Sequence, residues 1–467
     1  MKTAYLVEEL ISLAGITKKD FAASVLMSPS GLSRFLSGHQ MLDLRDHKSF
    51  SNGAAQILTA AIFEPNCHLR LGELFPFIFE FTTRNDLQIF LNCAIAYALE
   101  LDFAGEYDIY LDYQEKESFY YKQRQVLNMS CIVLSDFLHE VKEENLEFYS
   151  TLPLLFGELP YSLKRVFFNN SKQQKIYWNQ SLNFEQAALA DDYVQVHNPF
   201  GKIHQLEQHF DLYFWETDHN DKQHYLLLKN HCLLVFDVLP DGAPTLKIIR
   251  NKNYLLRFLQ FIDKSWGRKL TFNQDEARQL LQNDPALLTR LLDRGLRALY
   301  NFVPINYVLS ASEMEETGAS EEQRELMQDF LHAILKADAD LYFSSAAISE
   351  FSRSGKAIVP LTGIVTVPEE KRVEIMERLE AETSPKMRKR SKLMYTSMSG
   401  AAILCTQDLS LLYMVNQDGT SEKIHLFFMR NIAEYLENDF RKKQFRLVEY
   451  TRSRWQAYLD EVRSRFL

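Results

Sequence analysis

Hydrophobic positions recur at helical spacing through the start of the chain. Tyr5, Leu6, Leu10 and Leu13 predict a helix over 3–14. Phe21, Ala22 and Val25 mark one face of a second helix, and Leu32, Phe35 and Leu36 one face of a third. Thr17 is placed to cap the second helix, Ser28 to cap the third with Pro29 as its first residue, and Gly38 to stop it. Ala54, Ala55, Leu58, Ala61 and Ile62 predict a further helix from Ser49 to about Phe63, ended by Pro65. Dense apolar content predicts helices from Asp86 to Leu101 and from Gln123 to Glu144, and residues 67–170 read as mostly helical.

The pattern changes beyond residue 193. Short apolar runs at 211–217, 225–228, 233–239 and 246–249 predict strands, with Asp241-Gly242 as a turn and 253–264 as a helix. A similar order returns near the C-terminus: runs at 401–405, 411–415 and 423–427, a turn at Asp418-Gly419, and a helix over 431–440. This reads either as an internal duplication of an α+β module or as coincidence of a common strand–turn–strand–helix order. Residues 271–302 read as helical, 311–325 as a Ser/Glu-rich linker, 326–336 as a helix and 359–367 as an outer strand with Pro360 at an edge.

Thr17, Phe21-Ala22, Met27-Ser28, Ser33-Arg34 and Gly38 together resemble the helix-turn-helix of the Cro/phage-repressor family of DNA-binding domains. Lys18 and Leu26 stand where that family often has Gln and Gly. The resemblance covers about the first 60 residues. It implies that the helix begun at Ser28 enters the major groove of double-stranded DNA, with Thr17, Lys18, Ser28, Ser30, Gly31, Ser33 and Arg34 at the interface. Arg34 is the one long donor on that helix start, suited to guanine or phosphate.

Charge alters this picture. The chain carries a net charge of −10, and six Lys/Arg against five Asp/Glu in residues 1–60 leave that module near neutral. Phosphate neutralisation dominates non-specific affinity, so useful binding calls for a homodimer or extra basic surface. Candidates for the latter are Lys386–Lys392, with five basic residues in seven, and the basic, aromatic C-terminal stretch 441–465. Five scattered cysteines without a Cys-x-x-Cys pair suit reduced thiols. The start is not a signal peptide, and an uninterrupted apolar run of membrane length is missing, so the expected location is the cytoplasm, away from membranes.

Six of the twelve histidines fall at 197, 204, 209, 219, 224 and 231, the last beside Cys232, but no two stand at helical i, i+4 spacing, and neither metal nor cofactor is expected. Phosphate-loop, dinucleotide and nucleophile-elbow motifs are absent, so an enzyme is not expected.

The expected fold is multidomain: an all-α helix-turn-helix domain at 1–66, a mainly helical domain at 67–192, an α+β module at 193–310, the linker at 311–325, and a second α+β module with a basic terminal helix at 326–467. The expected function is a DNA-binding transcriptional regulator whose C-terminal region senses a small-molecule or peptide effector, oligomerises, or both. His204, Tyr213, Trp215 and Tyr225 are candidate lining residues for an effector pocket. The alternatives are an interaction scaffold whose helix-turn-helix docks to protein, or an enzyme with an unrecognised site.

Overall fold

The computed structural model describes residues 2–106, 118–141, 145–155, 163, 165–169, 175–183, 199–217, 224–302, 307–359, 362–382, 391–395, 400–415, 422–427, 446–449 and 452–466. It divides into two units. The first comprises Met1–Leu182, His209–Leu212 and Thr217–Gly267; the second comprises Asn183–Gln208, Tyr213–Glu216 and Arg268–Leu467.

The first unit opens with helices α1 (Thr3–Ala14), α2 (Lys18–Ser24), α3 (Pro29–Leu36), α4 (His47–Ile62) and α5 (Cys67–Leu71). Phe50 of α4 sits between Phe21 and Phe35, at ring-centroid distances of 6.2 and 5.2 Å. This ties the two short helices to the long one. The helical core does not close at residue 66. It continues into α6 (Arg84–Glu106), where the His47 ring meets Phe103 at 5.8 Å and the backbone N–H of Thr3 donates to Asp102 at 2.8 Å. By length and composition, Arg84–Ala104 also passes for a membrane span, which the apolar-run expectation missed; half of it is buried, as in the core helix of a globular domain.

Residues 67–192 are not a separate helical domain. They hold β1 (Phe77–Phe79), β2 (Ser118–Tyr121), α7 (Gln123–Glu140), β3 (Asn145–Ser150), β4 (Val166–Phe168) and β5 (Lys175–Leu182). β1 and β4 pair by themselves. The others join β6 (Asp211–Glu216), β7 (His224–Leu228), β8 (Cys232–Val238) and β9 (Pro244–Ile249) in a sheet of order β2-β9-β8-β7-β3-β5-β6, which α8 (Lys252–Ser265) follows. Leu146, Phe148 and Ser150 are buried in alternation, as are Ile176, Trp178 and Gln180. That period of two is the strand signal that the helical reading of this stretch passed over.

The second unit has β10 (Thr271–Asn273), β11 (Ala298–Asn301), β12 (Asp340–Ser344), the separate hairpin β13 (Lys356–Val359) and β14 (Gly363–Thr366), then β15 (Ser391–Tyr395), β16 (Ala401–Cys405), β17 (Ser410–Val415), β18 (Glu422–Phe427) and β19 (Arg446–Glu449). Its sheet runs β10-β18-β17-β16-β11-β12-β15-β19. Residues 271–302 are therefore helical only at Gln274–Asn283 and Leu287–Asp293, and strands at both ends. The expected linker at 311–325 is folded: Ala311–Thr317 is a 3₁₀ helix with a capping box from Ser310 and Glu313, Met314 is buried, and Glu321–Lys336 continues as a helix. Pro360, the turn at 418–419, the helix expected over 431–440 and the basic residues 386–390 and 441–443 lie outside the described residues.

The two sheets share their plan. Reading β2, β9, β8, β7, β3, β5 and β6 against β10, β18, β17, β16, β11, β12 and β15 matches both position in the sheet and order along the chain. The pairing senses match too: β2–β9 and β10–β18 are antiparallel, β7–β8–β9 and β16–β17–β18 are antiparallel meanders, β3–β7 and β11–β16 are antiparallel, and β3–β5 and β11–β12 are parallel.

Candidate nucleic-acid interface

Local chemistry builds the helical pair as the sequence proposes. The Thr17 side chain accepts from the Asp20 N–H at 3.1 Å and caps α2. Ser28 Oγ accepts from the Gly31 N–H at 3.0 Å and caps α3, whose first residue is Pro29. The turn between them is a Schellman motif: Met27 N–H donates to Ala22 C=O at 2.9 Å and Leu26 N–H to Ala23 C=O at 3.3 Å. Leu26 occupies its left-handed position, with φ 57°, and is 90% exposed. Thus the turn forms with a leucine in the position that ordinarily favours glycine. α3 ends in the same motif with Gly38 in that position, φ 73°.

On α3, Leu32 and Phe35 are buried while Ser30, Ser33 and Arg34 are exposed. Thr17, Lys18 and Ser28 are exposed as well. Gly31 alone among the expected interface residues is buried; a Cβ there would stand 3.1 Å from Ser28 Oγ, so its role is to let the cap form. Lys18 Nζ pairs with Glu8 at 2.6 Å, both side chains about half exposed, a weak tie that a phosphate could replace. The Arg34 guanidinium has no ion pair among the described residues. Lys19, Arg45 and Lys48 are further exposed cations of the module that the motif does not point to; charge counting alone would have found them.

The residues expected to line an effector pocket are divided between the two units. Tyr225 is buried in the first unit, its hydroxyl accepting from Trp266 Nε1 at 3.2 Å. Tyr213 and Trp215 belong to the second unit, where Tyr213 has Lys269 and Lys423 at 4.9 and 5.2 Å from its ring. The side chain of His204 lies outside the described residues. The histidine series disperses as well: His209 packs on Phe168, and His224 Nδ1 lies 3.0 Å from the Thr151 carbonyl. Cys67, Cys131, Cys232 and Cys405 are buried and Cys93 half-buried, none in a disulfide; burial pushes the Cys232 and Cys405 thiols up to about 12, which leaves them unreactive.

No protein-family model matches the chain, and no curated protein matches it. A solved structure similar in part is that of TrmBL2, an archaeal chromatin protein whose structure is described as showing a novel mode of DNA binding. The identity is 10%, the match covers 50% of this chain and 98% of that one, and the TM-score is 0.19. A likeness at that level carries no argument about this chain.

Proposed function

We propose that this chain is a DNA-binding transcriptional regulator, with α2 and α3 as a Cro-like helix-turn-helix that reads double-stranded DNA. The observation that carries the reading is α3 itself: a capped helix anchored by Leu32 and Phe35, presenting Ser30, Ser33 and Arg34 outward. Short polar side chains allow close approach to a groove, and an exposed arginine supplies a bidentate donor for guanine. Because the module is near neutral, the binding species is a homodimer on half-sites about one helical turn apart.

We infer further that the two sheets are copies of one α+β module, and that this doubled region senses a small-molecule or peptide effector, assembles the dimer, or both. The shared strand order and pairing sense support the duplication. The exposure of Leu26 and Leu44, at 90% and 59%, favours the second reading, in which the helical module docks to protein.

The test is fluorescence anisotropy of the full chain against fragments of its own upstream DNA. The Arg34→Ala variant should lose roughly 1–3 kcal/mol of binding free energy at the preferred site. Unchanged affinity in that variant, or no preferred fragment, would remove the DNA reading and leave protein docking. Light scattering at micromolar concentration should show a dimer; a monomer that binds DNA tightly would contradict that part.

A further inference from the structure

The second unit contains a short parallel section. β12 lies between β11 and β15 and runs parallel to both, with Ala298 opposite Asp340 and Leu341 opposite Ser391. The chain crosses from β12 to β15 by way of helices, the first of which, Ser345–Ser354, starts directly at the carboxyl end of β12. In parallel strand–helix units that edge is where ligands sit, because the crossing helices point their N-termini at it. This helix is fixed in place. Its Ala347 and Phe351 are buried, Tyr458 Oη donates to the Ser345 carbonyl at 3.1 Å, and Gly355 closes the far end in a left-handed conformation with φ 70°.

Its near end is chemically unfinished. The first amides of a helix lack intrahelical acceptors, and a serine at the N-cap ordinarily accepts from one of them. Ser28 and Ser320 do so here, taking the Gly31 and Gln323 amides. Ser344 is the N-cap of the Ser345–Ser354 helix and has the extended backbone that capping uses, φ −80° and ψ 129°, yet its side chain makes no cap bond. The first turn carries no acidic residue to act instead. Ser344 is fully buried, and its Oγ has no hydrogen-bond partner among the described residues. An N-cap side chain stands beside the first-turn amides, so the hydroxyl and the amides converge on one spot, all of them donors. Buried polar atoms are nearly always partnered, and an orphan in such a place points to a ligand. The spot has a way in: Ser345 is half-buried and Ala346 exposed, and neither side chain is large enough to cover the amides.

We propose that the carboxyl end of β12 binds a small phosphate-class oxyanion, held by Ser344 Oγ and the first-turn amides of the Ser345–Ser354 helix. Donors alone call for a ligand that accepts, and the positive end of the helix dipole favours one that is charged. A water would satisfy the hydroxyl but leave the dipole unanswered. A terminal phosphate presents three strong acceptor oxygens and can take the hydroxyl and two amides at once. A carboxylate presents two oxygens, as does the phosphodiester of a nucleic-acid backbone, so neither fits the donor set as well. This site is defined by its own donors and does not depend on the DNA reading or on the sensor reading.

The test is calorimetric titration of the full chain with inorganic phosphate in a phosphate-free buffer. One site is expected. Ser344→Ala should weaken it about tenfold, the worth of a hydrogen bond to a charged group. The hydroxyl it removes has no partner in the protein, so without phosphate that variant should melt no lower than wild type. Ala346→Asp, at an exposed position, sets a carboxylate over the same amides and should abolish binding while keeping the fold. Arg353→Gln, at an exposed cation in the last turn of the same helix, should leave the affinity unchanged. No binding at millimolar phosphate, or binding that ignores either Ser344→Ala or Ala346→Asp, would overturn the proposal. So would variants that lower affinity for a DNA duplex and leave phosphate binding unchanged, since the amides would then hold a backbone phosphate.

Discussion

Two residues beside the end of α2 carry backbone constraints of opposite kinds. Leu26 adopts a left-handed backbone with its side chain in solvent, so nothing it packs against repays the conformation. A non-glycine residue there costs about 1 kcal/mol. Leu26→Gly should therefore stabilise the chain by up to about 1 kcal/mol in urea unfolding followed by circular dichroism; a loss of stability would mean that the leucine makes a contact in solution. Gly53 of α4 is the reverse case. A Cβ there would lie 2.8 Å from the backbone oxygen of Ser24, at the end of α2, and backbone cannot swing aside as a side chain can. Gly53→Ala should cost roughly 1–3 kcal/mol in the same assay. No cap or periodicity rule marks Gly53, because what makes it necessary is a neighbour distant in sequence. Thr17, Ser28 and Gly38 were legible because each acts within its own turn.

At the scale of elements, legibility followed the same divide. The strands after residue 211 were readable as apolar runs, and β16 and β17 stayed readable because both of their faces are buried. β3 and β5 were missed because half-buried Glu147, Tyr149, Tyr177 and Asn179 interrupt their apolar positions. The segment read as a linker is pinned by a contact that spacing cannot reveal. Burial of Glu313 opposes its ionisation, but the bonds it accepts from Arg378 and from Ser310 prevail, and the carboxyl titrates below the ordinary glutamate range. A depressed folded-state value means stability that is complete above the unfolded glutamate value of about 4.3 and is lost as pH falls through the lower folded value. Wild type should thus lose stability below about pH 4.5 more steeply than Glu313→Gln. Parallel pH profiles of the midpoint in urea for the two proteins would show that the pair is without consequence. The site residues follow the same divide. Arg34 is legible from its motif, whereas Ser344 stands out only once the fold shows its hydroxyl buried and unbonded.

For the whole molecule, the informative fact is that neither unit is one run of sequence. Tyr213–Glu216 belongs to the second unit although the first resumes at Thr217. Phe214 N–H donates to Thr271 Oγ1 at 2.9 Å, its ring packs on His425 and Phe427, and Glu216 pairs with Arg268 at 2.8 Å. A fragment cut at 268–467 loses that strand and bares the surface under Phe214. It should be less soluble and melt lower than the same fragment with residues 183–216 joined ahead of Arg268 by a short glycine linker, and calorimetry of the two would decide. Equal melting would show that the borrowed strand is dispensable. The boundaries drawn from composition, at 193 and 326, miss this because a composition shift marks a change of pattern and says nothing of which core a strand joins.

The return of the chain to the first unit after that strand also sets a timetable at the ribosome. The meander β7–β8–β9 that completes the first sheet is made only after Tyr213–Glu216 has emerged. That strand then waits for β10 and for β18, which comes near the end of synthesis. Although β5 is already available beside it, the face of Phe214 that packs on His425 and Phe427 is thus left uncovered while about 200 further residues are added, some ten to forty seconds at ordinary elongation rates. Slowing translation should lengthen that exposure and raise the share of nascent chain held by chaperones.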